Sequence, residues 1–393
     1  MKDYFICIDV GKNNHWANVM TPDGEILVDP FPFSNDDKGY KKFYKAVTPY
    51  LSKNHLVGME DTDHYGYNLI DSLFEHHATV SMINPISTDA MRKASLKSTK
   101  TDKEDTKLIG SVLLNPKLYR ILEVPTAQVT EMRELTRYHH TMQETATRYK
   151  EQLQKSLDLV FPELNTIFSS KYAPTCIRLL ETYQSAESIA HADIRTLRNI
   201  LKPKGLRGKT VSFSVEQLKQ LAKNSVGHSN MILEMEIRHL VQIIKDIDSN
   251  LEEVDKKIEE YSISLNSPIL QIPGISHFSC VSILTELGDI NNFSDPRQIT
   301  SFAGVNPIVY QSGQFNASMT RISKTGSKYL RKTLYQIILP VIRFNPTFKS
   351  YYDKKISEGK SFRCAEGHCV RKLIRVIYHI QSTGEQFSPE LLR

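Results

Sequence analysis

The chain has few of the residues that staple small secreted proteins. Its 393 residues include one tryptophan and five cysteines, at positions 7, 176, 280, 364 and 369. An odd number of scattered cysteines indicates a reducing compartment rather than a disulfide framework. Cys364, His368 and Cys369 are close together, but no second ligand pair accompanies them, so a structural zinc site is not expected.

Long hydrophobic runs are also missing. The run LYQIILPVIRF near the C-terminus is about half a membrane span and contains Pro340. The N-terminal segment MKDYFICIDV becomes acidic too early for a signal peptide. We therefore expect a cytoplasmic protein with no membrane partner. The composition, with 40% hydrophobic and 24% charged residues, is typical of globular proteins, and the length predicts two or three domains.

Acidic residues are absent from a long C-terminal segment. Between Pro296 and Tyr352 there is no Asp or Glu, whereas eight Arg and Lys residues occur there, against a net charge of +6 for the whole chain. Such a concentration predicts contacts with phosphate backbones, and a solvated basic face is the alternative. Some of these residues surround a predicted helix start: Arg321, Lys324, Lys328, Arg331 and Lys332. Further candidates are Lys100 and a basic loop at 202–209, which is otherwise an ordinary solvent loop: Lys202, Lys204, Arg207 and Lys209.

Four carboxylates occupy positions typical of a metal-dependent nuclease. Asp9 ends the apolar run YFICID, and Glu60 ends the run HLVGME. Asp102 and Asp105 lie three residues apart, where a helix is predicted to begin. Carboxylates at neighbouring strand ends and on one helix face can hold two Mg²⁺ ions that clamp the oxygens of a phosphodiester. Taken singly, Asp102 could be a helix N-cap and Asp105 a first-turn acid that favours the helix dipole.

The predicted order of elements is that of the ribonuclease H superfamily. Strands are predicted at 4–9, 15–20, 25–28, 55–60 and 79–83, with helices at 36–52, at 65–77 and from residue 101 or 102. In that fold the first strand is central and the fourth lies beside it, which would place Asp9 and Glu60 at neighbouring strand ends. Asp61 and Asp63 flank Glu60, which is preferred because it directly ends the apolar strand.

Sugar kinases and actin-like ATPases begin in a similar way. The segment IDVGKNNHWANVMTPDG fits their first phosphate loop. They also need a second Gly-rich phosphate loop and a late Gly-Gly motif. The chain contains no Gly-Gly pair, so this class is disfavoured.

Two long amphipathic helices are predicted in the middle of the chain. Apolar residues recur at alternating spacings of three and four over 132–160 and 237–261. This heptad pattern predicts a coiled coil, formed either within one chain as a hairpin or between chains. An insertion of short helices is predicted between them, at 163–228. The predicted domains are 1–120, 121–265 and 266–393.

Two C-terminal segments have weak signals of their own. The segment 270–290 predicts a tight turn at Pro273-Gly274 followed by a helix, as in the hairpin of a helix-hairpin-helix motif that grips phosphate through backbone amides. The segment YQSGQF places Ser312 beside Gly313 in a polar loop. On spacing alone, this loop is an ordinary Ser-Gly turn.

Together these segments resemble the DEDD transposases of insertion sequences, a family that includes the Piv-type DNA invertases. IDVGKNNHWA, GMED and KTDKEDTKLIGSVL resemble the family's RuvC-like domain. IPGIS, LGDINNFSDPRQITSFAGVNP, QSG and RISKTGSKYLRKTL resemble its transposase domain, so the resemblance covers nearly the whole chain. It implies an N-terminal RuvC/ribonuclease H-like α/β domain, a helical coiled-coil middle and a mostly helical C-terminal domain with a helix-hairpin-helix-like motif.

The resemblance also implies a recombinase that cuts and joins DNA. Asp9, Glu60, Asp102 and Asp105 would bind two Mg²⁺ ions, with Mn²⁺ as a substitute, and Ser312 would form a covalent serine–DNA intermediate. Family members are guided by a structured RNA from the element, which pairs with target and donor DNA. Dimers or tetramers are expected, in which different subunits supply the carboxylates and the serine.

The sequence is also compatible with several alternatives. A RuvC-like structure-specific endonuclease would use water as the nucleophile and leave no protein–DNA adduct, whereas a Piv-like invertase would invert a DNA segment. A nucleic-acid-binding protein with an inactive nuclease fold is disfavoured by the complete set of carboxylates. The family's loop is often richer in Ser and Gly, and Ser318 and Ser323 are close enough to Ser312 to be alternative nucleophiles.

Overall fold

The structure is a computed structural model that describes residues 2–94, 101–124, 126–202, 211–308, 311–312, 315–316 and 321–388, with only the backbone at 63, 311–312 and 315–316. The chain divides into two compact units. The first comprises Met1–Thr126 with Lys324–Gly326, and the second comprises Ala127–Ser323 with Ser327–Arg393. The predicted boundary at residue 265 falls inside the second unit.

The first unit is a mixed α/β domain. A short 3₁₀ turn at Asp63–Gly66 precedes its second helix. In chain order its elements are β1 Tyr4–Asp9, β2 Asn14–Met20, β3 Ile26–Ser34, α1 Asp37–Leu51, β4 His55–Glu60, α2 Tyr67–Glu75, β5 Val80–Ile83, α3 Pro85–Ala94, α4 Asp102–Leu113 and β6 Tyr119–Ile121.

The first unit's six strands form one sheet in the order β3-β2-β1-β4-β5-β6. β1 pairs with β2 antiparallel and with β4 parallel, so the predicted central position of the first strand, with the fourth beside it, is confirmed. Ile6, Cys7 and Ile8 are completely buried because side chains on both faces of this strand are covered. Helix α3 and strand β6 are not among the elements predicted from the sequence.

Helix α4 packs closely on one face of the sheet. A Cβ added to Gly110 of α4 would lie 3.3 Å from Cys7 Sγ, and one added to Gly58 of β4 would lie 2.7 Å from Leu113 Cδ1. Small residues on both the helix and the strand therefore allow a close approach. The apolar residues of this interface are Phe5, Cys7, Met20, Leu56, Ile83, Ile109, Val112 and Leu113.

The second unit is mostly helical. Two 3₁₀ turns, Pro268–Gln271 and Ile290–Asn292, join its later helices. In chain order its other elements are α5 Ala127–Val160, α6 Leu164–Ile167, α7 Pro174–Thr182, α8 Ala186–His191, α9 Ile194–Leu201, α10 Val215–Lys223, α11 Met231–Leu265, α12 His277–Leu287, α13 Pro296–Phe302, β7 Gln311–Ser312, β8 Phe315–Asn316, α14 Lys328–Phe344, α15 Pro346–Ser357 and α16 Phe362–Thr383.

The two long helices, α5 and α11, pack against each other within one chain. They run antiparallel, since His139 Nε2 lies 3.0 Å from Asp255 Oδ1 and Lys150 Nζ lies 3.3 Å from Asp248 Oδ1. Of the two arrangements left open by the heptads, the structure has the hairpin, and the supercoil itself stays a prediction. The short helices α6 to α10 form a separate core against one end of this hairpin.

Helices α12 to α16 enclose the largest core of the second unit. The turn before α12 contains Gly274 at φ +101°, where an added Cβ would lie 2.6 Å from the backbone nitrogen of Val341 in α14. The Pro-Gly turn is therefore required by close packing on α14, and its assignment to a helix-hairpin-helix motif stays a prediction. Among the described residues, none of the helices has both the length and the apolar character needed to cross a membrane.

Candidate active site

Asp9 and Glu60 lie at the ends of two adjacent parallel strands. The β1–β4 register pairs Cys7 with Gly58 and Ile8 with Met59, so its continuation places Asp9 beside Glu60. Side chains alternate between the two faces of a sheet, and Asp9 therefore shares a face with Cys7, as Glu60 does with Gly58. This is the face that α4 covers. Both carboxylates are half-buried at the edge of that interface.

Asp102 and Asp105 lie in the first turn of α4. The N-cap of this helix is Thr101, whose hydroxyl accepts a hydrogen bond from the Glu104 amide at 3.3 Å. The alternative role of Asp102 as the N-cap is therefore wrong. Asp102 is exposed, whereas Asp105 is half-buried. Their spacing places both on one side of the helix.

Helix α3 connects Glu60 with Asp105. The hydroxyl of Thr88, in the first half of this helix, donates a hydrogen bond to Glu60 Oε1. One turn later, Arg92 Nη2 lies 2.9 Å from Asp105 Oδ1, with about a fifth or less of either side chain exposed (20% and 15%). Residues four apart on a helix have Cβ atoms about 6 Å apart. Two of the four predicted carboxylates are thus held by one short stretch of α3.

The four carboxylates have the right chemistry for a divalent ion. Mg²⁺ and Mn²⁺ prefer carboxylate oxygens as ligands. In the part of the chain that the structure describes, however, no three His, Cys, Asp or Glu side chains lie together as a metal-ligand group. At Asp105 the Arg92 contact gives a physical reason for the absence of such a group, since a guanidinium already occupies one oxygen of this carboxylate. The donor atoms are therefore of the kind that Mg²⁺ prefers, but no three of these side chains lie together in the described residues.

The predicted nucleophile, Ser312, lies in a segment of the second unit whose two ends are joined by backbone hydrogen bonds. The Ile308 amide donates to the Arg321 carbonyl oxygen at 2.7 Å, and the Ser323 amide donates to the Asn306 carbonyl oxygen at 3.0 Å. Between these bonds, β7 and β8 form a small hairpin in which Ser312 pairs with Phe315. The side chain of Ser312 lies outside the described part of the structure, as does the whole of Ser318.

Ser323 has a structural role of its own. Its hydroxyl donates a hydrogen bond to Asn306 Oδ1 at 2.5 Å. This bond adds to the backbone hydrogen bond between Ser323 and Asn306. A serine engaged in this way is a poorer candidate for attack on phosphorus.

Two family models match the chain over these regions. The DEDD model of the IS110 type, described as a transposase, matches residues 6–162, which include the four carboxylates. The model described as the transposase IS116/IS110/IS902 family matches residues 266–353, which include Ser312 and the basic segment. The chain belongs to the IS110/IS116/IS902 transposase family. It is an insertion-sequence transposase, an enzyme that processes DNA.

Relatives of this transposase align over about half to all of its length. An uncharacterized 42 kDa protein of insertion element IS900 from Mycobacterium paratuberculosis is 22% identical and covers 94% of each chain. A pilin gene-inverting protein from Moraxella bovis is also 22% identical and covers 100% of this chain and 99% of its own. The transposase for element IS1111A from Coxiella burnetii is 28% identical over 49% of this chain and 55% of its own.

The basic residues of the transposase fall into two groups. Arg321, Lys324 and Lys328 are exposed. Arg331 instead donates from Nη1 to the Ala303 carbonyl oxygen at 3.0 Å, and burial lowers the pKa of its guanidinium. Lys332 Nζ lies 2.8 Å from Glu144 Oε1. Of the remaining candidates, Lys202 is exposed, and four lie outside the described residues: Lys100, Lys204, Arg207 and Lys209.

Thr88 and Arg92 of the transposase were not predicted as site residues, because α3 itself was not predicted. A signal for this helix was present in the sequence. Pro85 is its first residue, and the Asn84 side chain accepts a hydrogen bond from the Ile86 amide at 2.9 Å. Asn followed by Pro is a common helix start.

Proposed function

We propose that this transposase cuts and rejoins DNA through a covalent bond to Ser312, with a divalent ion held by Asp9, Glu60, Asp102 and Asp105, under the guidance of an RNA from its element. The observation that carries the proposal is the arrangement at the sheet edge. Asp9 and Glu60 end adjacent strands, and α3 links Glu60 to Asp105. Asp102 is exposed at this edge, and Asp9, Glu60 and Asp105 are half-buried.

The carboxylates would act as ligands and as orienting groups. Mg²⁺, or Mn²⁺ in its place, would supply positive charge that activates the attacking oxygen and stabilises the leaving oxygen. Asp9 and Glu60 are on rigid strand ends, which suits the positioning of a reacting phosphate. Asp102 is exposed in the first turn of α4 and is therefore accessible from solvent.

Ser312 would act as the nucleophile. Its hydroxyl would lose a proton as its oxygen bonds to phosphorus, and the ester bond to one strand oxygen would break, that oxygen leaving with a proton. Attack on the serine ester by a strand hydroxyl would then join the exchanged strands and restore the serine. Backbone hydrogen bonds at Asn306–Ser323 and Ile308–Arg321 join the two ends of the segment that carries Ser312.

Guide RNA and self-assembly complete the proposal. If base pairing with RNA selects the DNA, the protein needs only to bind backbone and shape. The exposed Arg321, Lys324 and Lys328 suit such contacts, because their positive charges can reach phosphate groups. We further propose that dimers or tetramers act, with the carboxylates and the serine of each site coming from different subunits.

A site-specific inversion activity is the second candidate. The relative from Moraxella bovis, named as a pilin gene-inverting protein, aligns over the whole length of this chain. The same cleavage and rejoining steps would serve inversion. Only the arrangement of the two DNA sites would differ.

The first test is a cleavage reaction. Purified protein is incubated with Mg²⁺, the DNA ends of the element and its flanking RNA, and the products are run on a denaturing gel without protease treatment. We expect a protein–DNA adduct for the wild type and for Ser318→Ala and Ser323→Ala, and none for Ser312→Ala or Asp9→Ala. Reactions without RNA should give no adduct.

A different result would contradict the serine nucleophile, the guide RNA and the shared site. Cleavage by Ser312→Ala without an adduct would indicate a nuclease that uses water. Full activity without RNA would remove the guide. Mixing Ser312→Ala with Asp9→Ala should restore part of the activity if the site is shared between subunits, and no restoration would assign both groups to one subunit.

A further inference from the structure

Helix α3 holds two predicted metal ligands through one of its faces. Thr88 and Arg92 are four residues apart and contact Glu60 and Asp105, respectively. Thr88 is almost completely buried (4% exposed) and also lies 2.9 Å from the Pro85 carbonyl oxygen, so its single proton serves two acceptors. The Arg92 guanidinium has a second carboxylate nearby, with Nη1 3.8 Å from Asp89 Oδ1.

A guanidinium and a divalent ion make the same demand on a carboxylate. Both need its oxygen lone pairs, and Arg is charged at every accessible pH. Two positive groups on one carboxylate repel each other, and the repulsion is strong where side chains are mostly buried. The exposure of the pair, 20% for Arg92 and 15% for Asp105, limits screening by solvent.

We propose that Arg92 is a positioning residue that competes with the divalent ion for Asp105, and that Thr88 orients Glu60 toward that ion. Arg92 holds Asp105 in place and gives it up when an ion binds. The ion pair between Arg92 and Asp105 thereby lowers the affinity of the site for a divalent ion below the affinity that the carboxylates alone would give. This inference rests on the metal binding proposed above. It assigns a role in metal binding to two residues of α3 that are not among the four predicted carboxylates.

A purely structural role for Arg92 predicts a different outcome. If the ion pair only fastens α3 to α4, its loss should lower stability to the same extent with and without metal. Metal affinity would then stay unchanged or fall, because Asp105 would be less well placed. Competition predicts the opposite sign for affinity.

The test is a calorimetric titration of the full chain with Mn²⁺. Arg92→Gln should bind Mn²⁺ about three- to tenfold more tightly than the wild type, because the ion no longer has to displace a guanidinium from Asp105. Arg92→Met keeps the apolar stem of the side chain and should behave similarly, so it replaces Arg92→Gln if that variant does not fold. Thr88→Val should bind more weakly, and Thr88→Ser should restore the wild-type affinity.

Thermal unfolding provides the second readout. In EDTA, Arg92→Gln should have a lower melting temperature than the wild type, and saturating Mn²⁺ should reduce this difference in melting temperature. Equal or weaker Mn²⁺ binding by both Arg92 variants, with a difference in melting temperature that Mn²⁺ leaves unchanged, would overturn the inference. If the wild type binds no Mn²⁺ and Asp9→Ala has no effect on the titration, the metal proposal itself fails, which is a distinct result.

Discussion

Single buried polar residues organise the start of α14. Glu286, with 3% of its side chain exposed, accepts from Arg137 Nε at 2.7 Å and from the Ser327 hydroxyl at 2.7 Å. Ser327 in turn caps α14 by accepting from the Leu330 amide at 3.1 Å. A buried carboxylate is tolerated when its oxygens are satisfied in this way. One glutamate therefore ties α5 and α12 to the helix that carries Lys328.

His140 is a residue whose environment predicts a pH effect. It is buried beside Thr333, with its Nε2 3.1 Å from Thr333 Oγ1. Burial, followed by the charges of Lys332 and His139, lowers the pKa of His140 from 6.5 to about 4, against smaller opposing effects of Glu144 and Glu286. The folded protein thus favours the neutral imidazole.

The sign of the effect follows from proton binding. As pH falls below 6.5, the unfolded chain takes up a proton at His140 before the folded chain does, so stability is lost between pH 6.5 and about 4. From pH 7 to pH 5 the free energy of unfolding should fall by about 2 kcal/mol because of His140. Urea unfolding at the two pH values measures it. His140→Gln should lose less stability over the same interval, and an equal loss in both proteins would assign the effect to other groups.

At the scale of elements, local sequence signals predicted most strands of the sheet, but the third strand, predicted at 25–28, extends over Ile26–Ser34, and β6 was not predicted. The apolar runs that became β1, β4 and β5 are buried strands, and their predicted bounds agree with the structure to within one residue. Thr101 or Asp102 was also the correct start for α4. Local signals suffice here because each strand is a continuous apolar segment between polar turns.

Other features depended on tertiary contacts and could not be predicted from apolar periodicity. Helix α3 has a single buried residue, Thr88, so it has no apolar stripe that periodicity would detect. The contacts of Thr88 with Glu60 and of Arg92 with Asp105 join segments 28 and 13 residues apart. The sequence could identify the four acids as candidates, but not the groups that hold them.

The close packing of α4 on the sheet gives a prediction for this element. Gly110→Ala adds a methyl group against Met20 and Cys7, so we expect a net loss of about 1–2 kcal/mol despite the better helix propensity of alanine. Gly367→Ala in α16 is the matched control, because its Cβ would meet only Tyr335 Oη at 3.5 Å. It should be neutral or stabilising by up to about 1 kcal/mol.

Urea unfolding of the two glycine variants measures this difference. If α4 is displaced by Gly110→Ala, Asp105 moves with it, and Mn²⁺ affinity should also fall. Equal stability of the two variants would mean that the interface has room for a methyl group, contrary to the distances at Gly110.

At the scale of the whole molecule, charge is distributed unevenly in a nearly balanced chain. The net charge is only +6, yet residues 296–352 contain no acid. The structure divides the basic residues of that segment by their partners. Arg331 and Lys332 are engaged with Ala303 and Glu144, whereas Arg321 and Lys328 are exposed. Total charge is therefore a poor guide, and exposure selects the residues that can meet phosphates.

Lys328 and Lys332 form a matched pair for testing this selection. Lys328 lies in the first turn of α14, where a positive charge opposes the helix dipole. Its presence there is not explained by helix stability, and we expect it to contact a phosphate of bound nucleic acid. The charge of Lys332 is instead satisfied by Glu144, on α5.

Filter binding of element DNA and RNA over a series of salt concentrations measures the phosphate contacts. The slope of log affinity against log salt should fall by about 0.7–0.9 for Lys328→Gln, since one released counterion is lost. Lys332→Gln should leave the slope unchanged. If both variants reduce the slope equally, the ion pair with Glu144 opens on binding, and the division of basic residues by exposure is wrong.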